Sequence, residues 1–268
     1  MIRFLKKTFV ITELEARKIF HDPTEIFTRA VQPALWLLIF GQVFQRMHPM
    51  SGNMRYIDFM TPGILAQSVL FIAIFYGIGI IWERDLGLTH KFLVTPTPRA
   101  ALVLGKALSA GLRSIPVMII IYLLAFLLKV KLNWNPLSIF TVLLIVILGS
   151  ILFSTFSLII ACLVKTRERF MGIGQLLTMP LFFASNAIYP IDIMPGWLQV
   201  ISRLNPLTYM VNALRICMLN TEPPVNPNGF RIRDNISLID FLILFYGCGK
   251  TVLFHIANII TVIRNKIN

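Results

Sequence analysis

The chain has 268 residues, enough for one or two domains, but 56% of it is Ala, Val, Ile, Leu, Met, Phe, Trp, Tyr or Cys and only 14% is charged. Soluble globular chains run about 45–50% apolar even with glycine counted and about 25% charged, and the mean hydropathy here is +0.76, which excludes soluble, disordered and fibrous classes and leaves an all-α polytopic membrane protein. Its 25 Lys and Arg against 12 Asp and Glu give a net charge of +13; in so apolar a chain that excess reads as cytoplasmic loops facing anionic lipid, with no nucleic acid as partner.

Residues 1–21 place Ile2, Leu5, Phe9, Ala16 and Phe20 in one stripe at a helical turn angle, with Arg3, Lys7, Glu15 and Lys18 turned away. This predicts an amphipathic helix on the membrane surface; a short helix packed on a partner is the other reading, because Glu13 sits at the stripe's edge. No unbroken apolar core follows Lys6 and Lys7, so no cleaved signal peptide is expected. Asp22-Pro23-Thr24-Glu25 reads as a helix start, with Asp22 as cap and Pro23 at the first helical position.

A single membrane domain is expected over 22–268. Its six spans fall at about 24–45, 59–82, 101–128, 137–164, 170–189 and 238–263, set against the roughly 20 residues that cross a bilayer. Pro33 bends the first, and Gln175 and Pro180 interrupt the fifth, a break tolerated where neighbouring helices satisfy the freed carbonyl. One face carries 15 of the 25 Lys and Arg together with both termini, so both termini are expected in the cytoplasm. Arg113 lies near the cytoplasmic end of the third span and is expected to snorkel.

Two connections are more than simple loops. In residues 83–99, Leu88 and Phe92 fall on one side of a short helix, and Thr95-Pro96-Thr97-Pro98 forces a stiff extended turn. The result is a rigid, partly apolar peg on the cytoplasmic face, which on these grounds is either a surface helix or a docking element. Residues 190–237 form a long external hairpin with two short helices starting near Pro195 and Pro206; Asn205 caps the second, and Leu207, Met210, Val211, Leu214 and Met218 share its face. Both are too short to cross and are placed as interfacial or re-entrant pieces, followed by an exposed loop from Glu222 to Gly229.

The residues carry no signature of catalysis, so no catalytic residue, metal or cofactor is assigned and the chain is not read as an enzyme. Cys162, Cys217 and Cys248 have neither disulfide nor metal-ligand spacing, and His21, His48, His90 and His255 are scattered over different loops and spans. Gly249-Lys250-Thr251 looks like the end of a phosphate loop, but Leu244 stands where that motif requires glycine. Lys250 and His255 break the sixth span, where an ammonium costs about 2.5–3.5 kcal/mol; Lys250 faces the bundle interior, snorkels, or marks a divergent segment. A secondary transporter, the alternative from another class, would carry intramembrane carboxylates or an internal repeat. Spans one to five hold no acidic residue well inside them, and no repeat is visible.

Met60-Thr61-Pro62-Gly63-Ile64 opens the second span, Glu83 to Arg99 is followed by Gly105-Lys106, and Pro195-Gly196-Trp197-Leu198 leads through Asn205-Pro206-Leu207-Thr208-Tyr209 to Arg215. In this order and spacing, over about residues 10–220, the chain resembles the type-2 permease family of ATP-binding-cassette exporters. The resemblance implies the membrane half of a pump in the plasma or inner membrane, a homodimer or paired permease, and cassette ATPase partners that hold the ATP and Mg. It turns Glu83, Arg84, Leu88, Lys91, Phe92, Leu93, Thr95, Pro96, Pro98 and Arg99 into the element that couples to the ATPase. It makes the N-terminal helix the family's surface elbow and the hairpin after Tyr189 the cap of the exit path. The family handles drugs, antibiotics, glycolipids and polysaccharide chains. Phe71, Phe75, Phe182, Phe183 and Lys250 are candidates to line a substrate path, although the aromatics read equally well as core or lipid-facing.

Overall fold

The computed structural model describes residues 6, 8–10, 12–14, 17, 23–47, 55–87, 99–164 and 166–219. The sixth span at 238–263, the peg residues 88–98, the end of the hairpin and most of the expected surface helix lie outside them. The described residues are mostly helical and contain no strand; a single antiparallel bridge joins Leu132 to Leu219.

Helix α1 (Pro23–Leu35) begins at the proline, where the missing N–H costs nothing. It continues through a π turn (Trp36–Phe40) into α2 (Gly41–Met47). Pro33 withdraws one donor from this ladder, and the irregularity the sequence leads one to expect there takes the form of the wider turn just beyond it. Next come α3 (Tyr56–Phe75) and α4 (Gly77–Asp85), joined through Tyr76, whose N–H still reaches the Ile72 carbonyl at 3.1 Å. Helices α5 (Arg99–Leu127), α6 (Pro136–Leu163) and α7 (Arg167–Phe183) follow. A 3-10 turn (Ile191–Ile193) leads to α8 (Gly196–Leu204) and α9 (Pro206–Met218).

Three helical stretches among the described residues are long and apolar enough to cross a membrane: Tyr56–Asp85, Val103–Leu127 and Pro136–Leu163. Helix α7 has 17 residues and gives way at Ala184 to a turn that buries Ser185 and Asn186, so the helix at the expected fifth span stops six residues before Tyr189.

The core is organised around α3. Every residue from Tyr56 to Leu70 is buried, and α1, α5, α6, α7 and α9 all pack on this helix. A helix apolar on all sides is one meant for the middle of a bundle. Its polar residues are met locally: the Thr61 and Ser68 hydroxyls each donate to the carbonyl four residues back, both at 2.7 Å. Gly63 allows a close approach of backbone to backbone, since a Cβ there would lie 2.7 Å from Ala187 Cα. That contact draws the turn after α7 against α3, and Tyr56 Oη donates to the Ile188 carbonyl at 2.7 Å beside it. Asn135 and Asn205 cap α6 and α9 in the same way, each side chain accepting from the N–H two residues on, with proline between.

Candidate functional site

The segment 83–99 begins in α4 and ends at the start of α5, and these two helices are tied together beside it. Glu83 pairs with Lys106 of α5, the side chains being 14% and 7% exposed. Arg84 donates to the Val164 carbonyl at 3.1 Å, satisfying one of the acceptors that the end of α6 leaves open. Arg167, at the start of α7, bonds Asp85 at 3.0 Å and lies 3.7 Å over the Trp82 ring. The N-terminal segment joins this cluster, because the Thr12 hydroxyl reaches the Gly105 carbonyl at 3.2 Å. Behind Lys106, Ser109 bonds Tyr76 Oη at 2.7 Å. Four helices and the N-terminal segment therefore meet at the base of the proposed coupling element.

Of the coupling residues expected from the sequence, Glu83 and Arg84 sit in this cluster and Arg99 begins α5. Leu88, Lys91, Phe92, Leu93, Thr95, Pro96 and Pro98 lie outside the described residues. Sequence reasoning did not assign Lys106, Asp85 or Arg167 to this cluster. The signal for Lys106 was present, a lysine inside an apolar helical run, but its partner stands 23 positions away.

A cavity of about 540 Å³ lies between α1, α3, α4 and α7, lined by Thr28, Arg29, Gln32 and Pro33, by Gln67, Ser68, Phe71, Ile72 and Phe75, and by Ile78 and Gln175. Exposed Thr28, Gln32 and Gln175 form its rim, and buried Gln67 and Ser68 lie deeper. Gln67 is 4% exposed, and its Oε1 accepts no hydrogen bond among the described residues. Leaving such an acceptor unmet costs about 1–3 kcal/mol. The Phe71 and Phe75 rings stand 6.0 Å apart, tilted by 34°.

The candidate path residues thus separate. Phe71 and Phe75 face the cavity, whereas Phe182 is a core residue packed edge-on against Trp36 at 5.7 Å, and Phe183 is 44% exposed on the outer surface. Lys250 lies outside the described residues.

A buried cation holds the hairpin. Arg215 of α9, 4% exposed, donates to the Asn186 carbonyl at 2.9 Å and to the Phe59 carbonyl at 3.4 Å, and its guanidinium lies 3.8 Å over the Phe59 ring. Burial pushes its pKa down from the usual arginine value, and the two carbonyls and the ring face favour the charged form against that cost. Arg113 also finds an aromatic partner, its guanidinium 5.2 Å from the centre of the Tyr76 ring.

The profile of the ABC-2 type transporter family matches residues 6–219, which takes in the N-terminal segment, the coupling cluster, the cavity and the hairpin. The chain belongs to that family. It is 30% identical over 217 residues to a ycf38 transport permease of Cyanophora paradoxa, covering 79% of this chain and 74% of that one. It is 25% identical over 201 residues to the daunorubicin resistance ABC transporter permease protein DrrB1 of Streptomyces coeruleorubidus, covering 75% and 71%. Over 224 residues it is 25% identical to the inner membrane transport permease YadH of Escherichia coli K12, covering 79% and 80%. An ABC-2 permease is the membrane subunit of an ABC transporter, and membership in the family implies a partner ATPase.

Proposed function

We propose that this ABC-2 permease is the membrane half of an ATP-driven exporter, working as a pair of copies with both termini in the cytoplasm. It has six spans, an N-terminal surface helix, a re-entrant external hairpin and ATP with Mg on the ATPase alone. Its cargo is a hydrophobic or amphipathic compound, a drug, an antibiotic or a lipid-like molecule, that passes by the cavity carrying Phe71 and Phe75. Export of a drug is what the name of DrrB1 suggests.

The observation that carries this reading is the buried Glu83–Lys106 pair under the segment 83–99. A coupling segment rooted in two helices that are clamped to each other moves with α4 and α5 as one body, so a push from an ATPase reaches the bundle without being absorbed. Pairing of copies is supported by the rim of the cavity. Thr28, Gln32 and Gln175 are exposed polar side chains on two helices, and polar groups at membrane depth face a bundle interior or a watery path and not lipid. A facing copy would enclose them.

The test is co-purification with a cassette ATPase, followed by transport in liposomes. ATP-dependent movement that Phe92→Ala or Pro96→Ala uncouples, with both subunits still folded and associated, is the expected result. Transport driven by a proton or sodium gradient without ATP would replace this reading with a secondary transporter, and normal coupling in both variants would remove the docking role of the peg.

A further inference from the structure

We infer that the turn joining α5 to α6 binds a phospholipid with an anionic head group. The ammoniums of Lys129 and Lys131 hold its phosphate, and its tails lie along the outer faces of the two helices. This site is separate from the exporter reading, which concerns the segment 83–99 and the cavity.

Helix α5 has 29 residues, and at about 1.5 Å per residue it is longer than the ~30 Å hydrocarbon core of a bilayer. The turn after it therefore lies at the membrane face opposite the segment 83–99. The Val130 N–H bonds the Ala125 carbonyl at 2.9 Å and the Lys129 N–H bonds the Phe126 carbonyl at 3.1 Å, the two bonds of a Schellman cap. The left-handed position of that cap normally belongs to glycine, yet Lys129 occupies it with φ 52°, a conformation that disfavours any residue with a Cβ. Buried Asp58 pins the turn from below. It accepts from the Lys131 N–H at 3.3 Å and takes two bonds from Arg55, whose Nη2 also donates to the Lys129 carbonyl. On the far side the Asn133 N–H donates to the Met218 carbonyl at 2.8 Å.

The pinned turn presents two cations together. Val130 and Leu132 are buried, while Lys129 and Lys131 between them are both exposed. Asp58 is already matched by Arg55, and neither lysine has an ion pair among the described residues. A helix C-terminus favours a nearby cation, but Lys131 supplies one without the left-handed backbone that Lys129 adopts. Beside the lysines, exposed Trp134 packs edge-on against Phe126 at 5.8 Å and Tyr122 at 6.3 Å, and an indole of this kind belongs at head-group level. Below it run two exposed apolar stripes, Ile119, Leu123 and Leu127 on α5 and Leu137, Phe140 and Leu144 on α6. A free phosphate would meet the lysines and leave the stripes unused. A choline lipid would bring its own cation against the lysines, whereas an anionic phospholipid matches both the charge and the apolar faces.

The experiment titrates the whole permease, purified in a neutral detergent, with dioleoylphosphatidylglycerol or dioleoylphosphatidylcholine and counts bound lipids by native mass spectrometry. One phosphatidylglycerol per chain is expected to bind about 25-fold more tightly than phosphatidylcholine, at about fivefold for each lysine near an anionic group. Lys131→Gln should lower that preference about fivefold. Lys129→Gly is the decisive variant, because it removes the charge and also relieves the left-handed backbone. Its lipid preference should fall by a similar factor while its thermal midpoint, measured without added lipid, rises. A merely structural lysine would not move the two readouts in opposite directions.

Equal binding of the two lipids would overturn the proposal, as would a preference that survives in the Lys129→Gly, Lys131→Gln double variant. Several phosphatidylglycerols adding with similar affinity would mean diffuse attraction to a basic surface in place of a site. Glycerol 1-phosphate, the head without tails, binding as tightly as the lipid would show that the stripes take no part and would remove the lipid assignment.

Discussion

Lys106 and Glu83 form an ion pair almost out of reach of water, one inside α5 and the other on α4, where the segment that the family likeness assigns to ATPase coupling begins. Removing one partner of a buried pair costs more than removing both, because the survivor keeps its desolvation penalty without its partner, about 3–5 kcal/mol. Lys106→Met is therefore expected to lower the thermal midpoint of the purified permease markedly, and Glu83→Gln combined with Lys106→Met is expected to recover much of it. If the double variant melts as low as the single one, the pair is not the relevant contact. A double variant that is stable yet hydrolyses ATP without transport would separate the clamp's mechanical role from its contribution to folding.

Gly63 gives a case in which two opposed effects decide the sign. Alanine is favoured over glycine in a helix by about 1 kcal/mol, so a free helical position gains from the change. At Gly63 the new Cβ meets Ala187 backbone atoms, including Cα at 2.7 Å, and backbone yields less readily than a side-chain tip. Overpacking of this kind costs about 1–3 kcal/mol, which outweighs the propensity gain. Gly63→Ala should destabilise, while Gly79→Ala, with nothing within 4 Å of the added Cβ, should be neutral or stabilising. Melting curves of the two variants in the same detergent compare them directly, and equal behaviour would refute the close approach.

What could be read in advance follows from the range of the interactions. The apolar runs that become α3 with α4, α5 and α6 announce themselves by length, and the Asn205-Pro206 start of α9 is a local signal that needs no tertiary knowledge. The aromatic residues could not be sorted. Phe71, Phe75, Phe182 and Phe183 stand in stretches too uniformly apolar for periodicity to tell a cavity wall from a core or an outer face, and the structure assigns them to all three. Gln67 escaped notice for a related reason. One amide in an apolar helix becomes informative only when the helices that leave its oxygen unmet are placed around it. Lys106 belongs with it, since the clamp on Glu83 exists only once α4 and α5 are side by side.

Arg215 links the hairpin to the central helix through geometry that lysine cannot reproduce. Its Nη2 alone donates to both the Asn186 and Phe59 carbonyls while the guanidinium plane stacks 3.8 Å over the Phe59 ring, whereas an ammonium offers no planar face to that ring. Arg215→Lys is expected to lose most of what Arg215→Met loses. In a double-mutant cycle with Phe59→Leu, the coupling between the two side chains should be about 2 kcal/mol, the range of a desolvated cation–π contact. Additivity within about 0.5 kcal/mol in that cycle would show that the ring contributes only its volume.

Asn205 does two jobs with one side chain, and substitutions can separate them. Its Oδ1 accepts from the Leu207 N–H at 2.9 Å and starts α9, while its Nδ2 donates to the Leu181 carbonyl at 2.6 Å and holds α9 against the end of α7. Serine keeps the cap but cannot supply the amide donor, so Asn205→Ser should lose about 0.5–1.5 kcal/mol for the second bond. Alanine loses that and also the cap, a further 0.5–2 kcal/mol or about that amount. Aspartate is the informative choice. On an exposed helix it would cap as well as asparagine, but here a carboxylate oxygen replaces the amide donor and faces the Leu181 carbonyl at a position only 4% exposed, so Asn205→Asp should be the least stable of the three. Thermal unfolding of the series orders them, and an aspartate variant as stable as serine would mean that the Leu181 contact is absent in the membrane.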